Sequence, residues 1–331
     1  MKKIISIIMV MAIAAVCAFA SGSSETASAE AKAKVAVMFG TGGLGDQSFN
    51  DNIYNAVVNA QNTLDFEFDY VEPKATSDFE TVLTEFAQEK TYKVIIIAGS
   101  DASEALAKVS KNYPSQLFAI VDSSSCGDNV LGITFKDNES TYLGGYAAAL
   151  ISKTGKIGVI GAMDIDVING FIAGWEAGAK AAKSDIEVFR MYCGSFSDPV
   201  TAKEMAIQMY SNGADIVFGA AGGSGLGIFQ AAEETDNLAV GVDSNQNPVK
   251  PDYIVMSCVR SFTTVIYDTI EGAINGTLKG GETKACGIVE DAVDCTFEGS
   301  NVVVDSSVKD AIAALKEEVK AGKISIPTSL N

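Results

Sequence analysis

The chain has 331 residues, a formal net charge of −18 and no histidine. Its length allows one large core or two lobes, and its acidity argues against nucleic acid and anionic membrane surfaces as partners. The lack of histidine excludes Ser-His-Asp and Cys-His hydrolases and most catalytic zinc sites. These counts favour a binding protein over an enzyme, and they give no reason to expect a cofactor or a metal.

The first twenty residues are typical of a secretory signal peptide. A basic start precedes the apolar run 4–16, which is too short to span a membrane, and residues 18–20 (AFA) offer a cleavage site. Residues 21–33 are small and polar, which predicts a flexible tether. Cys17 also suits a lipoprotein signal, so lipid anchoring at Cys17 and release after Ala20 both stay open. Either outcome places the domain outside the inner membrane, in the periplasm or anchored at the cell envelope.

Beyond the tether, short apolar runs alternate with segments of helical periodicity. Runs such as 94–98 (VIIIA) and 117–121 (LFAIV) are apolar throughout, as expected for strands buried on both faces of a parallel sheet. The predicted strands are 34–39, 66–71, 94–98, 117–121, 130–135, 156–160, 187–192, 216–219, 239–242 and 255–259. The predicted helices are 46–62, 78–89, 102–112, 140–151, 167–182, 202–212, 225–234, 263–278 and 307–321.

The pattern describes two successive series of similar size, which predicts an α/β fold with two lobes, each a doubly wound and mostly parallel sheet. We expect the lobes to follow the signal peptide (1–20) and tether (21–33), with a hinge near 136–138, 259–261 and a hairpin in the tail. The first lobe is predicted to hold 34–137 and 260–285, and the second 138–259 and 286–331.

Five cysteines follow the signal peptide, and none forms a CxxC pair, so no zinc site is predicted. Cys286 and Cys295 flank the hairpin-like segment CGIVEDAVDC. They can pair in an oxidising compartment, and free buried thiols are the alternative.

Candidate binding residues are those that follow the strands, because ligands of open α/β sheets bind at the carboxyl ends of the strands. Asp46 suits a helix N-cap, and Phe49 falls in the first turn of that helix. Asp122 follows the fourth strand, and Phe196 comes after strand 187–192. Each has a plainer alternative as a cap, a core ring or a turn. Two aromatic residues at equivalent positions of two lobes can nevertheless enclose one flat ring.

Further strand ends in the second series add polar groups. Asp243 and Arg260 each follow a predicted strand, and Arg260 can pair with Asp243 or bind a hydroxyl-rich ligand. The glycine-rich turn within 216–227 matches neither the P-loop nor the dinucleotide motif. Aromatic rings, acids and glycine turns together suit a ligand made of a ring and a sugar.

The sequence resembles the basic membrane protein family of ABC-transporter binding proteins, which includes purine nucleoside receptor lipoproteins. The similarity runs from about residue 34 to 326. The segments that carry it are GDQSFND (45–51), FAIVD (118–122), YLGGYAAAL (142–150), GFIAGWEAGAKAA (170–182), GSFSDP (194–199), AAGGSGLGIFQAA (220–232) and GVDSNQ (241–246).

This resemblance implies a type I periplasmic-binding-protein fold with three crossovers between the lobes. It implies a purine held between Phe49 and Phe196, with further nucleoside contacts from Asn50, Asp122, Gly222 and Asp243. It also implies a permease and an ATPase as partners of a monomeric receptor, attached to the membrane only if Cys17 carries a lipid. The family usually has a lysine in place of Arg260, a change that alters the reach and geometry of the expected ribose contact. Many members also carry an aspartate near residues 40–41 that contacts the base, so its absence here leaves the base the least constrained part of the ligand.

Two other functions stay open. The first is a receptor for another small ligand, such as a sugar or a furanose signal, which would not need two stacking rings. The second is a nucleoside hydrolase that uses carboxylates alone. Clustered acids with a metal would be expected for that reaction, whereas the acids of this sequence are spread over separate strand ends.

Overall fold

The computed structural model describes residues 32–330. The predicted signal peptide, the anchor considered at Cys17 and nearly all of the predicted tether lie outside the described residues. Within the described part, no helix is both long enough and apolar enough to cross a membrane.

The elements follow the alternation predicted from the sequence. The strands are β1 (Ala33–Met38), β2 (Phe66–Val71), β3 (Tyr92–Ala98), β4 (Phe118–Val121), β5 (Val130–Phe135), β6 (Lys156–Gly161), β7 (Glu187–Tyr192), β8 (Ile216–Ala220), β9 (Leu238–Asp243), β10 (Ile254–Arg260), β11 (Thr283–Cys286) and β12 (Val293–Thr296). The α-helices are α1 (Phe49–Gln61), α2 (Phe79–Glu89), α3 (Ser103–Asn112), α4 (Asp137–Ile151), α5 (Asp166–Ala182), α6 (Pro199–Ser211), α7 (Gly225–Thr235), α8 (Phe262–Ile274) and α9 (Ser306–Lys320).

The strands of the described region form two six-stranded sheets. The first has the order β11-β5-β4-β3-β1-β2, and its neighbouring strands are all parallel. The second has the order β12-β10-β9-β8-β6-β7 and is parallel except for β12, which runs antiparallel to β10. Helices lie on both faces of each sheet, which confirms the predicted fold class. We call the first sheet with α1–α3 and α8 the first lobe, and the second sheet with α4–α7 and α9 the second lobe.

Alternation along β1 shows why its whole run is apolar. Val35 and Val37 join the core beneath α1 and α8, whereas Ala36 and Met38 join the core beneath α2 and α3. Successive side chains of a strand point to opposite faces, so a strand covered on both faces needs apolar residues at every position.

Within the described residues the chain passes between the lobes three times. The passages lead from β5 to α4, from β10 to α8 and from β11 to β12. Three crossovers between two doubly wound sheets are the arrangement that the family resemblance implies.

The predicted hairpin at Cys286–Cys295 is wrong. β11 adds to the first sheet beside β5, and β12 adds to the second sheet beside β10, so the two strands do not pair with each other. Each strand instead forms the edge of a different sheet. The local sequence shows two short strands around a turn, but it does not show which distant strands they pair with. Cys286 and Cys295 are accordingly in separate sheets, and both are free thiols.

Candidate functional site

The carboxyl ends of strands from both lobes line one cavity. The loops after β1, β3 and β4 of the first lobe contribute to its wall, as do the loops after β6, β7, β8 and β9 of the second lobe. The cavity brings together the residues that the sequence predicts as ligand contacts: Asp46, Phe49, Asn50, Asp122, Phe196, Gly222, Asp243 and Arg260. Their contact with a ligand stays a prediction, but they meet in one place.

Asp46 organises the start of α1. Its carboxylate accepts hydrogen bonds from the backbone N–H groups of Ser48 (2.9 Å), Asn50 (2.9 Å) and Asp51 (3.2 Å). Such bonds satisfy N–H groups that have no partner within the helix. The N-cap position itself is Ser48 and the helix begins at Phe49, so the predicted N-cap at Asp46 is two residues too early, although its side chain does bind the N–H groups of the first turn. Burial raises the pKa of Asp46, and these N–H groups oppose that rise.

Asn50 connects Asp46 to the end of β1. Its Nδ2 donates a hydrogen bond to Asp46 Oδ2 at 3.0 Å, and its Oδ1 accepts one from the backbone N–H of Gly40, also at 3.0 Å. The side chain is buried. Asn50 therefore holds the glycine loop against the helix start, which fixes the shape of this side of the cavity.

Phe49 and Phe196 come from different lobes. Phe49 begins α1, and its ring meets that of Phe262 edge-on with centroids 5.7 Å apart. Phe196 lies between β7 and α6 and packs partly on the core of the second lobe. Both side chains are half-buried and line the cavity. A molecule in the cavity is thus within reach of an aromatic ring from each lobe.

Two glycines make room for Phe196. Gly222 follows β8 with a φ of +54°, in the left-handed region that glycine adopts without strain. A Cβ atom at Gly222 would lie 3.4 Å from the Phe196 ring, and a Cβ atom at Gly42 of the first lobe would lie 3.8 Å from the Phe196 Cβ. Phe196 is therefore placed at the boundary, against backbone from both lobes.

Arg260 joins the acids of the two lobes. Its Nη1 donates to both carboxylate oxygens of Asp122, at 2.8 and 3.0 Å. Its Nε and Nη2 lie 2.7 and 2.6 Å from Asp243 Oδ1. Asp137 Oδ2 is 3.6 Å from Nη1. The sequence left open whether Arg260 pairs with Asp243 or binds a ligand, and the structure shows the pair with Asp243. Arg260 also pairs with Asp122 of the first lobe.

Aromatic rings surround the same guanidinium group. Its Cζ lies 5.0–5.4 Å from the ring centroids of Phe49, Phe135, Phe171 and Phe262. Rings at such distances favour a cation through their quadrupoles. They also exclude water from the cluster, which strengthens every charge interaction within it.

The charges of this cluster shift one another's protonation. Burial raises the pKa of Asp137 to about 8, with the charges of Asp122 and Asp243 adding to the rise and Arg260 opposing it. Burial also raises the pKa of Asp122 despite Arg260. For Arg260 burial acts against the charge, but the surrounding carboxylates outweigh it and raise the pKa of the guanidinium. The cluster therefore keeps its cation and tends to hold a proton on Asp137.

Asp122 and Asp243 occupy equivalent and strained positions in the two lobes. Each lies at the end of a central strand, and their φ angles are +61° and +66°. A left-handed backbone costs a residue with a side chain roughly 1–2 kcal/mol, and it is kept where the surrounding structure demands it. Here it turns both carboxylates toward the same guanidinium group.

Direct hydrogen bonds also join the two lobes beside the cavity. Ser48 Oγ donates to Asp243 Oδ2. The backbone carbonyl of Gln47 accepts from Ser244 Oγ and from Gln246 Nε2, both at 2.8 Å. The helix start that Asp46 binds is thus in contact with the loop after β9, so the structure shows the lobes closed on each other.

Sequence reasoning missed two parts of the cavity wall. One is Gly99-Ser100-Asp101 after β3, and the other is the apolar group Ile165, Val167, Ile168 and Phe171 after β6. Both follow strands that the sequence predicts, so the strand-end rule would have found them had it been applied to every strand. Sequence reasoning also missed Asp137, which lies two residues after the parallel strand β5, at the start of α4, and faces Arg260.

Comparison with known proteins gives relatives over nearly the whole chain. A protein-family model described as "ABC transporter substrate-binding protein PnrA-like" matches residues 33–329. An ABC transporter nucleoside-binding protein, BmpA, from Lactococcus lactis is 34% identical over 315 residues, which cover 88% of this chain and 88% of that protein. An uncharacterized lipoprotein from Pyrococcus abyssi is 32% identical over 75% of this chain and 65% of its own length.

Solved structures show the same architecture. An ABC transporter solute-binding protein from Aeropyrum pernix superposes with a TM-score of 0.83 and 26% identity, over 90% of this chain and 94% of that one. A lac repressor superposes with a TM-score of 0.58 and 15% identity, a likeness of fold alone.

Proposed function

The chain belongs to the PnrA-like family of ABC-transporter substrate-binding proteins, and we propose that within this family it binds a nucleoside between its lobes. Membership implies a small-molecule ligand and a transporter as partner. The observation that carries the finer proposal is that Phe49 and Phe196, from different lobes, line the same cavity as Asp122 and Asp243. Aromatic faces suit a base, and carboxylates suit the hydroxyl groups of ribose.

The proposed base site lies between Phe49 and Phe196. Stacking on aromatic side chains is tolerant of base identity because every base has a π-face. The loop at residues 40–42 has no acid to select among bases, and Asp101 is an acid of the cavity wall to which no role is assigned. We propose a purine because two rings offer more area to stack than one. The named ligand class of the Lactococcus relative supports the nucleoside.

The proposed ribose site is formed by Asp122 and Asp243. Each carboxylate has lone pairs beyond those that Arg260 uses, because an ionised carboxylate offers about four acceptor positions. Arg260, whose Nε, Nη1 and Nη2 all face carboxylates, acts by holding the two acids in place. A lysine reaches fewer partners at once, so the arginine gives this chain a more rigid pair of acids.

In the proposed cycle the open protein captures the ligand and the lobes close around it. Contacts from both lobes favour the closed state, to which the bonds from Ser244 and Gln246 to Gln47 belong. A permease then recognises the closed form, and a separate ATPase drives uptake. We propose that the chain is exported, and that it works as a monomer held at the envelope by Cys17 or released after Ala20.

Isothermal titration of the purified protein with inosine, guanosine, adenosine, cytidine and free ribose tests the proposal. We expect a purine nucleoside to bind most tightly and ribose to bind weakly or not at all. Binding of ribose without any nucleoside would reject the base site and favour a sugar receptor. Release of free base during incubation would instead reveal a hydrolase.

A further inference from the structure

Two cysteines lie opposite each other at the edge of the second lobe. β10 and β12 pair in antiparallel register, and this register sets Cys258 directly across from Cys295. Directly opposite residues project their side chains to the same face of the sheet. Neither cysteine lines the cavity, so this pair is separate from the site described above.

The hydrogen bonding of the ladder decides how close the two cysteines are. Ser261 and Ala292 continue the same register, and the N–H of Ser261 donates to the carbonyl of Ala292 at 2.8 Å. Hydrogen-bonded and non-hydrogen-bonded pairs alternate along an antiparallel ladder. Three steps away, Cys258 and Cys295 therefore form a non-hydrogen-bonded pair. The Cα atoms of such pairs lie about 4.5 Å apart, within the roughly 4.4–6.8 Å that a disulfide requires.

The surroundings keep the two thiols together and leave one of them accessible. Cys258 is fully buried, and its sulfur occupies the space that the missing side chain of Gly144 leaves on α4. Cys295 is half-buried, with its sulfur 3.6 Å from the sulfur of Met256. The neighbouring thiol of Cys295, together with burial, raises the pKa of Cys258 well above its usual value.

We propose that Cys258 and Cys295 form a disulfide bond when the protein is in an oxidising compartment. The half-buried Cys295 attacks a low-molecular-weight disulfide such as oxidised glutathione, releasing one thiol and leaving a mixed disulfide. Cys258 then attacks the Cys295 sulfur and releases the second thiol. The two protons of the protein thiols go to the two released thiolates, and the small disulfide takes up the two electrons.

The proposed disulfide should stabilise the second lobe without affecting ligand binding, because of where it lies. β10 leads through Arg260 into α8, and β12 receives the chain from β11, so the bond ties together the strands of two crossovers. Both strands belong to the second lobe, and the bond therefore stabilises that lobe without linking it to the first. Lobe closure and ligand binding should stay unchanged. The inference does not depend on the proposed nucleoside ligand.

The test is peptide mapping of the wild-type protein after incubation with oxidised glutathione, unfolding in denaturant and alkylation. We expect a cross-linked pair of peptides carrying Cys258 and Cys295, and a mass lower by the two hydrogens lost. Oxidation should also raise the Tm by on the order of 5 °C, because the bond closes a long loop of the unfolded chain. Both cysteines appearing alkylated, or Cys295 joined to Cys286, would overturn the proposal.

Two variants serve as matched controls. Cys295→Ser removes the half-buried partner and should abolish both the cross-link and the oxidation-dependent rise in Tm. Cys286→Ser removes the other cysteine of the CGIVEDAVDC segment and should keep both. The mapping of the wild-type protein decides the question by itself if either variant fails to fold.

Discussion

At the scale of single residues, Arg260 has the most consequential contacts in the described structure. It is buried, and it faces Asp122, Asp137 and Asp243, so its removal leaves like charges without a counterion. Breaking a buried ion pair from one side typically costs about 3–5 kcal/mol. We expect Arg260→Met to lower the free energy of unfolding by about that amount, as measured by urea denaturation without ligand.

Arg190 offers the matched control. It pairs with Glu176 through side chains that are 37% and 26% exposed, and exposed pairs contribute only about 0–1 kcal/mol. Arg190→Met should therefore change the free energy of unfolding by less than about 1 kcal/mol. Equal losses in the two variants would contradict the view that Arg260 is the counterion of a buried acid cluster.

Asp137 should make the stability of the protein depend on pH. Burial raises its pKa from 3.8 to about 8, and the groups that face it are Arg260, Asp122 and Asp243. The folded chain thus holds a proton that the unfolded chain loses above about pH 4. The contribution of Asp137 to the free energy of unfolding is therefore complete below about pH 4 and is lost as the pH rises toward 8.

Asp137→Asn should flatten this dependence because asparagine keeps the shape and does not ionise. Thermal unfolding at pH 5, 6.5 and 8 would show a smaller fall in Tm for the variant than for the wild type. Asp185→Asn, at an exposed position, should leave the slope unchanged. An unaltered slope in Asp137→Asn would show that Asp137 does not carry the proton.

The sequence predicts the individual site residues better than their partners. Asp122, Asp243 and Arg260 are each found by their place at a strand end. Both carboxylates contact the guanidinium group of Arg260 only because the two lobes are placed side by side, and no local sequence pattern predicts that placement. The ring of Phe135 and the carboxylate of Asp137 join the same cluster. Both lie at or just after the end of β5, so the strand-end rule would have found them had it been applied to that strand.

At the scale of elements, the contact between α4 and α5 depends on glycines. A Cβ atom at Gly178 would overlap the backbone carbonyl of Tyr142 on α4, whereas one at Gly170 of the same helix would meet only Thr328 O at 3.5 Å. Overpacking a close contact typically costs about 1–3 kcal/mol. We expect Gly178→Ala to lose about that much stability in chemical denaturation, despite the better helix propensity of alanine.

Gly170→Ala tests the same helix without the clash. It should leave stability unchanged or raise it by up to about 1 kcal/mol, since alanine favours the helix. If Gly170→Ala were as destabilising as Gly178→Ala, the loss would belong to the helix itself and not to its contact with α4.

The strand bounds were predicted closely at the edges of the sheets as well as in their centres. β2, β5 and β7 have the predicted bounds, whereas the fully buried β3 begins two residues earlier than predicted. α8 was predicted to reach Leu278 but ends at Ile274, because Gly276 adopts a φ of +71° and the chain turns back. Leu278 then packs on the same core as the helix, so the apolar pattern continues past the helix end.

At the scale of the whole molecule, the sequence predicts two lobes, but it does not predict how they touch. The contacts from Ser48 to Asp243 and from Gln47 to Ser244 and Gln246 join residues about 195 positions apart. Such contacts depend on how the two lobes are placed relative to each other. The strand and helix pattern within each lobe does not specify that placement. The rule that ligands bind at the carboxyl ends of strands predicts a cleft between the two lobes, and the cavity lined by both lobes agrees with it.

In the proposed binding mode, Phe196 of the second lobe stacks on the base of a bound nucleoside. Loss of a stacking ring costs about 1–3 kcal/mol per base, which corresponds to roughly a 5- to 150-fold weaker affinity. Phe189 lies on β7 of the same lobe, outside the cavity wall, and provides the matched control.

The most direct measurement is calorimetric titration of guanosine and inosine into the wild-type, Phe196→Ala and Phe189→Ala proteins. We expect tight binding to the wild type, at least 5-fold weaker binding to Phe196→Ala, and unchanged affinity in Phe189→Ala. Nucleoside affinity that survives intact in Phe196→Ala would contradict this binding mode.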